Sequence, residues 1–174
     1  MDYRLLIGLI GSVLLVAAVA LRSQKRKNNF FAIGNVCMFT YALLGYFQGG
    51  PIFFLILQMF ILLSTLCMLF HVPDAYNTPI LAMGGIALIW WSLSIFQDYS
   101  TAIFVVGLAL LGIGYAMHSG TLRREIALMI GSAIIALFSF LMRDWAFFGL
   151  NILFCGLSLV NVVRFHKAGC AGRI

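Results

Sequence analysis

Charge is scarce in this 174-residue chain: 9% of its residues are Asp, Glu, Lys or Arg, against 63% that are hydrophobic. Almost every charge falls in a short cluster between long apolar runs. A soluble domain carries about a quarter of its residues charged, so this composition points to a polytopic membrane protein. No Asp, Glu, Lys, Arg or His stands in the middle of an apolar run. The proton relays of pumps and the acid–base pairs of intramembrane enzymes therefore have no residues at depth, and no catalytic activity is expected. The four cysteines, Cys37, Cys67, Cys155 and Cys170, form no CxxC pair, and three fall inside apolar runs. A thiol there acts as a small hydrophobe, so neither a disulfide nor a metal site is expected. His71, His118 and His166 close the third, fifth and seventh runs. Free helix-end carbonyls account for imidazoles in that position, and no metal or other cofactor is expected. The only prolines, Pro51, Pro73 and Pro79, all lie near run ends.

What is present is a succession of apolar runs: Tyr3 to Leu21, Phe30 to Phe47, Ile52 to Phe70, Pro79 to Phe96, Ala102 to Met117, Ile126 to Met142 and Trp145 to Val163. Each is roughly 16 to 20 residues, close to the ~20 that an α-helix needs to cross the hydrocarbon layer. The pattern predicts an all-α integral membrane protein with seven transmembrane helices. The uncharged part of the first run follows only Met1-Asp2-Tyr3-Arg4, lacks a small-residue cleavage site and precedes six more runs, so it is expected to be a retained helix.

Basic residues set the orientation. With the Arg22, Lys25, Arg26, Lys27 loop on the inside, seven spans place Arg123, Arg124, Arg164, Lys167 and Arg173 there too, which is nine of the eleven basic residues. Arg4 and Arg143 stay outside. The positive-inside rule then predicts an external N-terminus and a cytoplasmic C-terminus. The net charge of +6 is a topology signal and implies no nucleic-acid partner. Membrane lipids are the expected surroundings, with anionic lipid against Lys25-Arg26-Lys27 and a homo-oligomer left open.

An internal echo organises the chain. Gly50-Pro51-Ile52-Phe53-Phe54, with Gln58 and Ser64 following and Phe70-His71 closing, resembles Asp144-Trp145-Ala146-Phe147-Phe148, with Asn151 and Ser158 following and Phe165-His166 closing. Ile7-Gly8 and Gly11 match Val106-Gly107 and Gly112, and Ile33-Gly34-Asn35 matches Ile130-Gly131-Ser132. A period near 94 residues predicts two parallel three-helix bundles joined by a linker helix. The first repeat covers residues 1–71, the linker helix 72–99, the second repeat 100–166 and a cytoplasmic tail 167–174.

This layout, with its basic loop after the first span and a Pro or Asp start to the third helix of each bundle, resembles the PQ-loop or SWEET-like superfamily. That superfamily includes sugar facilitators and PnuC-type vitamin carriers. Gly156-Leu157-Ser158-Leu159-Val160-Asn161-Val162-Val163-Arg164-Phe165 is most similar to the YgjV-type bacterial inner-membrane family. Gly50 to Gln58 also resembles the three-helix domain named for the N-terminus of lipid A biosynthesis proteins. Neither the first nor the fifth span holds the Pro-Gln pair that names the superfamily, so its proline hinge is not carried over. The resemblance implies a bacterial inner-membrane location and a transport role.

The polar groups left inside the runs are uncharged. Gln58 and Asn151 each stand seven residues past their turns, about 10 Å below the outer surface at 1.5 Å per residue. Asn35 and Ser132 lie roughly 10 Å from the inner side, with Tyr41, Ser64 and Ser158 near the middle. Such an inventory suits a path for a neutral or zwitterionic small solute between the two bundles. The alternative is a lipid-linked envelope-biosynthesis role, moving a glycolipid or lipid carrier or serving as an accessory subunit. Each polar residue also has a packing explanation, because Ser, Thr and Asn in membrane helices bond neighbouring helices at about 0.6 to 2 kcal/mol.

Overall fold

Once water is removed, an apolar segment can satisfy its backbone N–H and C=O groups within itself only as a helix. The computed structural model describes residues 3–21, 24–96, 98–117 and 121–171, and each apolar run is helical over most of its length. The seven helices of these residues are α1 (Tyr3–Ala20), α2 (Gln24–Phe47), α3 (Phe53–Leu69), α4 (Asp74–Ser94), α5 (Tyr99–Ala116), α6 (Leu122–Leu141) and α7 (Trp145–Ala171). Four of them, α2, α5, α6 and α7, are long and apolar enough to cross a membrane, and α1 and α3 are shorter apolar helices. Large apolar side chains such as Met83, Ile86 and Trp90 stand at least two-thirds exposed, a surface suited to lipid contact. Arg22, His118 and Arg173 lie outside the described residues, as do the side chains of His166, Lys167 and Cys170.

Helix bounds differ from the apolar runs where polar residues can extend a helix into the headgroup layer. Lys25, Arg26 and Lys27, expected in a loop, form the first turn of α2, as good helix formers can. The helix of the seventh run continues past His166 to Ala171, through residues expected in a tail. α4 begins at Asp74, with Pro79 inside it. The backbone N–H groups of Tyr76 and Asn77 both bond the Pro73 carbonyl, so helix starts before Pro79 and gives up one internal bond there.

The chain divides into two units, Met1–Ser92 and Leu93–Ile174. In the first, α2 packs against α1 and α3, and α4 meets α3 where a Cβ on Gly84 would come 2.6 Å from Leu63 Cδ2. Its core includes Leu15, Met38, Tyr41, Ile56, Leu57 and Phe60, all at most 2% exposed. In the second, α6 packs against α5 and α7 around Phe104, Ile135, Phe138 and Phe147, each fully buried. The Phe104 and Phe138 rings lie 5.1 Å apart between centroids.

Three helices end in the same way. Gly49 (φ 85°), His71 (φ 51°) and Arg143 (φ 57°) adopt the left-handed conformation after α2, α3 and α6. The next residue turns its N–H back to a carbonyl five positions earlier: Gly50 to Gly45 at 2.9 Å, Val72 to Cys67 at 3.0 Å and Asp144 to Ser139 at 2.9 Å. These bonds occupy carbonyls that the helix itself leaves open. Sharp ends to α2 and α6 make α2–α3 and α6–α7 close antiparallel pairs.

Candidate functional site

The expected polar residues divide between the units. Asn35, Tyr41, Gln58 and Ser64 belong to the first, and Ser132, Asn151 and Ser158 to the second. All are buried except Ser64, which is half-buried.

In the first unit, the short turn over residues 48–52 fixes the register of α2 against α3. Asn35 stands thirteen residues before Gln48 and Thr65 thirteen after Ile52, and Asn35 Nδ2 donates to Thr65 Oγ1 at 2.6 Å. Thr65 in turn donates to the Ile61 carbonyl at 2.8 Å. This relay ties two helices together and leaves the threonine hydroxyl proton engaged. Two turns further along α3, on the same face as Thr65, comes Gln58. By the Asn35–Thr65 register it is level with Ala42, whose small side chain is also buried.

Gln58 differs from its polar neighbours. It is 1% exposed, yet its Oε1 accepts no hydrogen bond among the described residues. An acceptor left this way costs about 1–3 kcal/mol, where the Asn35 amide and Thr65 hydroxyl incur no such cost.

One residue before Ala42, Tyr41 faces α1. A Cβ on Gly8 would come 2.8 Å from its ring, and the Arg4 guanidinium lies over that ring, 4.6 Å from the centroid. Arg4 Nη1 also makes a long contact of 3.5 Å with Gln48 Oε1. A Cβ on Gly45 would sit 2.5 Å from Arg4 Nη2, so the missing side chain at Gly45 leaves the room that the guanidinium occupies. Arg4 was counted in the sequence only as an external charge; its aromatic partner 37 residues away has no local signature.

In the second unit, Asn151 Nδ2 donates to the Phe147 carbonyl of its own helix at 2.8 Å. Its side chain is thus turned back along α7. The two carboxamides, alike in their distance from the turn, sit in different surroundings: Gln58 offers an unoccupied acceptor, whereas Asn151 has its amide engaged. Asp144 Oδ1 accepts from Phe147 N at 3.2 Å and caps α7, which its place at the helix N-terminus favours.

Glu125 is a further polar residue of the second unit. It lies in the first turn of α6 and is 6% exposed. Its Oε1 accepts from Arg124 Nη1 at 3.1 Å, and its Oε2 accepts from Asn161 Nδ2 of α7 at 3.1 Å. A charge beside an apolar run reads as a loop residue; the signal that could have drawn attention was a lone acid following Arg123-Arg124. Both carboxylate oxygens are satisfied, so this cluster is a tie between α6 and α7.

Among the described residues, no group of three or more His, Cys, Asp or Glu side chains is placed to hold a metal ion. Compared with family models, with curated proteins and with solved structures, the chain matches none of them.

Proposed function

We propose that this chain is a seven-span membrane facilitator for a small neutral or zwitterionic solute, built as two parallel three-helix bundles with a linker helix in the 3+1+3 manner of SWEET-like proteins. The observation that carries the reading is Gln58, a carboxamide 1% exposed whose carbonyl oxygen has no described donor. In a bundle that satisfies Asn35 and Thr65 directly, an acceptor held open is a group kept for a transient donor, and a solute N–H or O–H supplies one.

The recurrence of contacts within each unit supports the two-bundle reading. Gly8 meets Tyr41 in the first unit as Gly107 meets Ile135 in the second, and Leu15 fills the space of Gly34 as Leu128 fills that of Gly114. Tyr41 and Ile135 are 94 residues apart, as are Gly34 and Leu128. The pairing sets Gly34 against Leu128, not against the similar-looking Gly131. The basic residues favour the N-terminus outside and the C-terminus in the cytoplasm, and the resemblance of residues 156–165 to the YgjV-type family suggests a bacterial inner-membrane location.

The reading is tested by uptake into proteoliposomes of a panel of labelled sugars, amino acids and vitamins. Gln58→Leu should abolish uptake with folding kept, since an apolar replacement leaves no orphaned acceptor, while Asn151→Leu should retain it. Normal uptake by Gln58→Leu overturns the assignment of Gln58. A panel without any substrate, together with a lipid that co-purifies stoichiometrically, replaces the reading with the lipid-linked one.

A further inference from the structure

Between α2 and α3 the helices are pinned at both ends of a short interval. One end is the turn over residues 48–52. The other, thirteen residues from that turn on each helix, is the 2.6 Å bond from Asn35 Nδ2 to Thr65 Oγ1. Ala42 and Gln58 lie inside this interval, six residues before Gln48 and six after Ile52. Each is seven residues from a member of the bonded pair, two helical turns along the same face. Ala42 therefore stands to Gln58 as Asn35 stands to Thr65, and both are buried, at 3% and 1% exposed.

At one level α2 supplies an amide donor to α3; at the other it supplies only a methyl group. The neighbouring side chains of α2 turn to α1 instead: Met38 Sδ accepts from Ser12 Oγ at 3.6 Å, and Tyr41 lays its ring against Gly8. Gln58 Oε1 is left without a described donor at a position where an asparagine side chain would provide one.

Resting on the solute-binding reading of Gln58, we infer that Ala42 is the specificity-determining residue of the site. It withholds the partner that α2 gives to α3 at the level of Asn35, and a slender N–H donor of the solute, such as a primary amide, takes the place of the missing side chain. The recognised end of the solute is then its narrow, donor-bearing end, and a group with its nitrogen fully alkylated is refused for want of a proton.

Stability reads whether Ala42 faces Gln58. Thermal unfolding of the full chain in detergent compares Ala42→Asn with Ala42→Leu, side chains of nearly equal size of which only the first donates. Ala42→Asn should have the higher midpoint, and in a Gln58→Leu background the order should reverse, because the new amide is then buried without a partner. Ala42→Ser against Ala42→Cys repeats the comparison with a smaller addition if the larger side chains prevent folding. A difference within the pair that is the same in both backgrounds overturns the inference and leaves solute binding at Gln58 standing.

A fragment reads whether the place is open to a ligand. Acetamide carries N–H donors and N,N-dimethylacetamide has none. Acetamide should raise the wild-type midpoint at a concentration at least about tenfold lower, the ratio expected of about one net hydrogen bond. The preference should vanish in Ala42→Asn, where the acceptor is occupied, and in Gln58→Leu, where it is gone. A preference kept in Ala42→Asn and lost in Gln58→Leu overturns the role of Ala42 alone. One kept in Gln58→Leu overturns the reading of Gln58 as well. No preference in the wild type overturns the inference, and the uptake panel then decides the reading of Gln58 by itself.

Discussion

The tie between Glu125 and Asn161 gives a quantitative prediction. The carboxylate has two donors, but they are not equivalent. Arg124 is a sequence neighbour on the same helix with its side chain 25% exposed, and an ion pair of that kind contributes little, at most about 1 kcal/mol. Asn161 reaches Glu125 from α7, 36 positions along the chain, at 3.1 Å, so its bond is lost when the two helices separate. Asn161→Leu removes that donor from a carboxylate only 6% exposed. The expected cost is about 1.5 kcal/mol, the lower part of the range for hydrogen bonds to charged groups, since the contact is only partly buried. For a chain of this size that corresponds to a fall in midpoint of about 3–6 °C. In a Glu125→Gln background the same Leu substitution should cost about 1 kcal/mol less, because the charge that strengthened the bond is already gone. The assay is thermal unfolding of the four proteins in one detergent, read as a double-mutant cycle. Equal costs of Asn161→Leu in both backgrounds, within about 0.5 kcal/mol, would show that the contact contributes no coupling and that α6 and α7 are held by apolar packing alone.

Two further outcomes are expected. Single cysteines placed at Gln24 and Gln48 in a cysteine-free background should label from opposite sides of the membrane, and equal labelling of both from outside removes the seven-span topology. At the start of α5, the Asp98 carboxyl is held below its ordinary value, chiefly by the Ser100 hydroxyl, which outweighs an opposing effect of desolvation, with lesser help from the backbone N–H groups of Thr101 and Ser100. A carboxyl lowered on folding stabilises at pH above its unfolded value near 4 and loses that contribution as the pH falls through the lower folded value. Asp98→Ala should therefore flatten the acid limb of the stability profile, measured by unfolding between pH 5 and roughly pH 2, and an unchanged limb refutes the cap.

The seven helices were legible because apolar runs of membrane length have one backbone solution. Their ends were less so. Lys25-Arg26-Lys27 is as compatible with a helix entering the headgroup layer as with a loop, and charge alone does not separate the two. Asp144 was readable as a cap, since capping depends on residues three positions away. The contacts that define the candidate site depend on register between helices: Asn35 with Thr65 lies 30 positions apart, and Arg4 over Tyr41 lies 37 apart. No periodicity within a helix encodes them. The likeness of Gln58 and Asn151 shows the same limit, because equal distance from a turn does not fix which way a carboxamide bends. One returns to its own backbone and the other does not.

Leu15 against Gly34 and Gly114 against Leu128 have a consequence for assembly. At matched levels of the proposed repeat, the large side chain is on the first helix of one unit and the second helix of the other. A mistaken pairing of α1 with α6 would press Leu15 into Leu128, and the reciprocal pairing of α5 with α2 would leave Gly114 facing Gly34 across a void. Both errors carry a penalty, the first steric and the second a loss of contact. On the proposed two-bundle reading, each first helix is thereby keyed to its own neighbour in the chain.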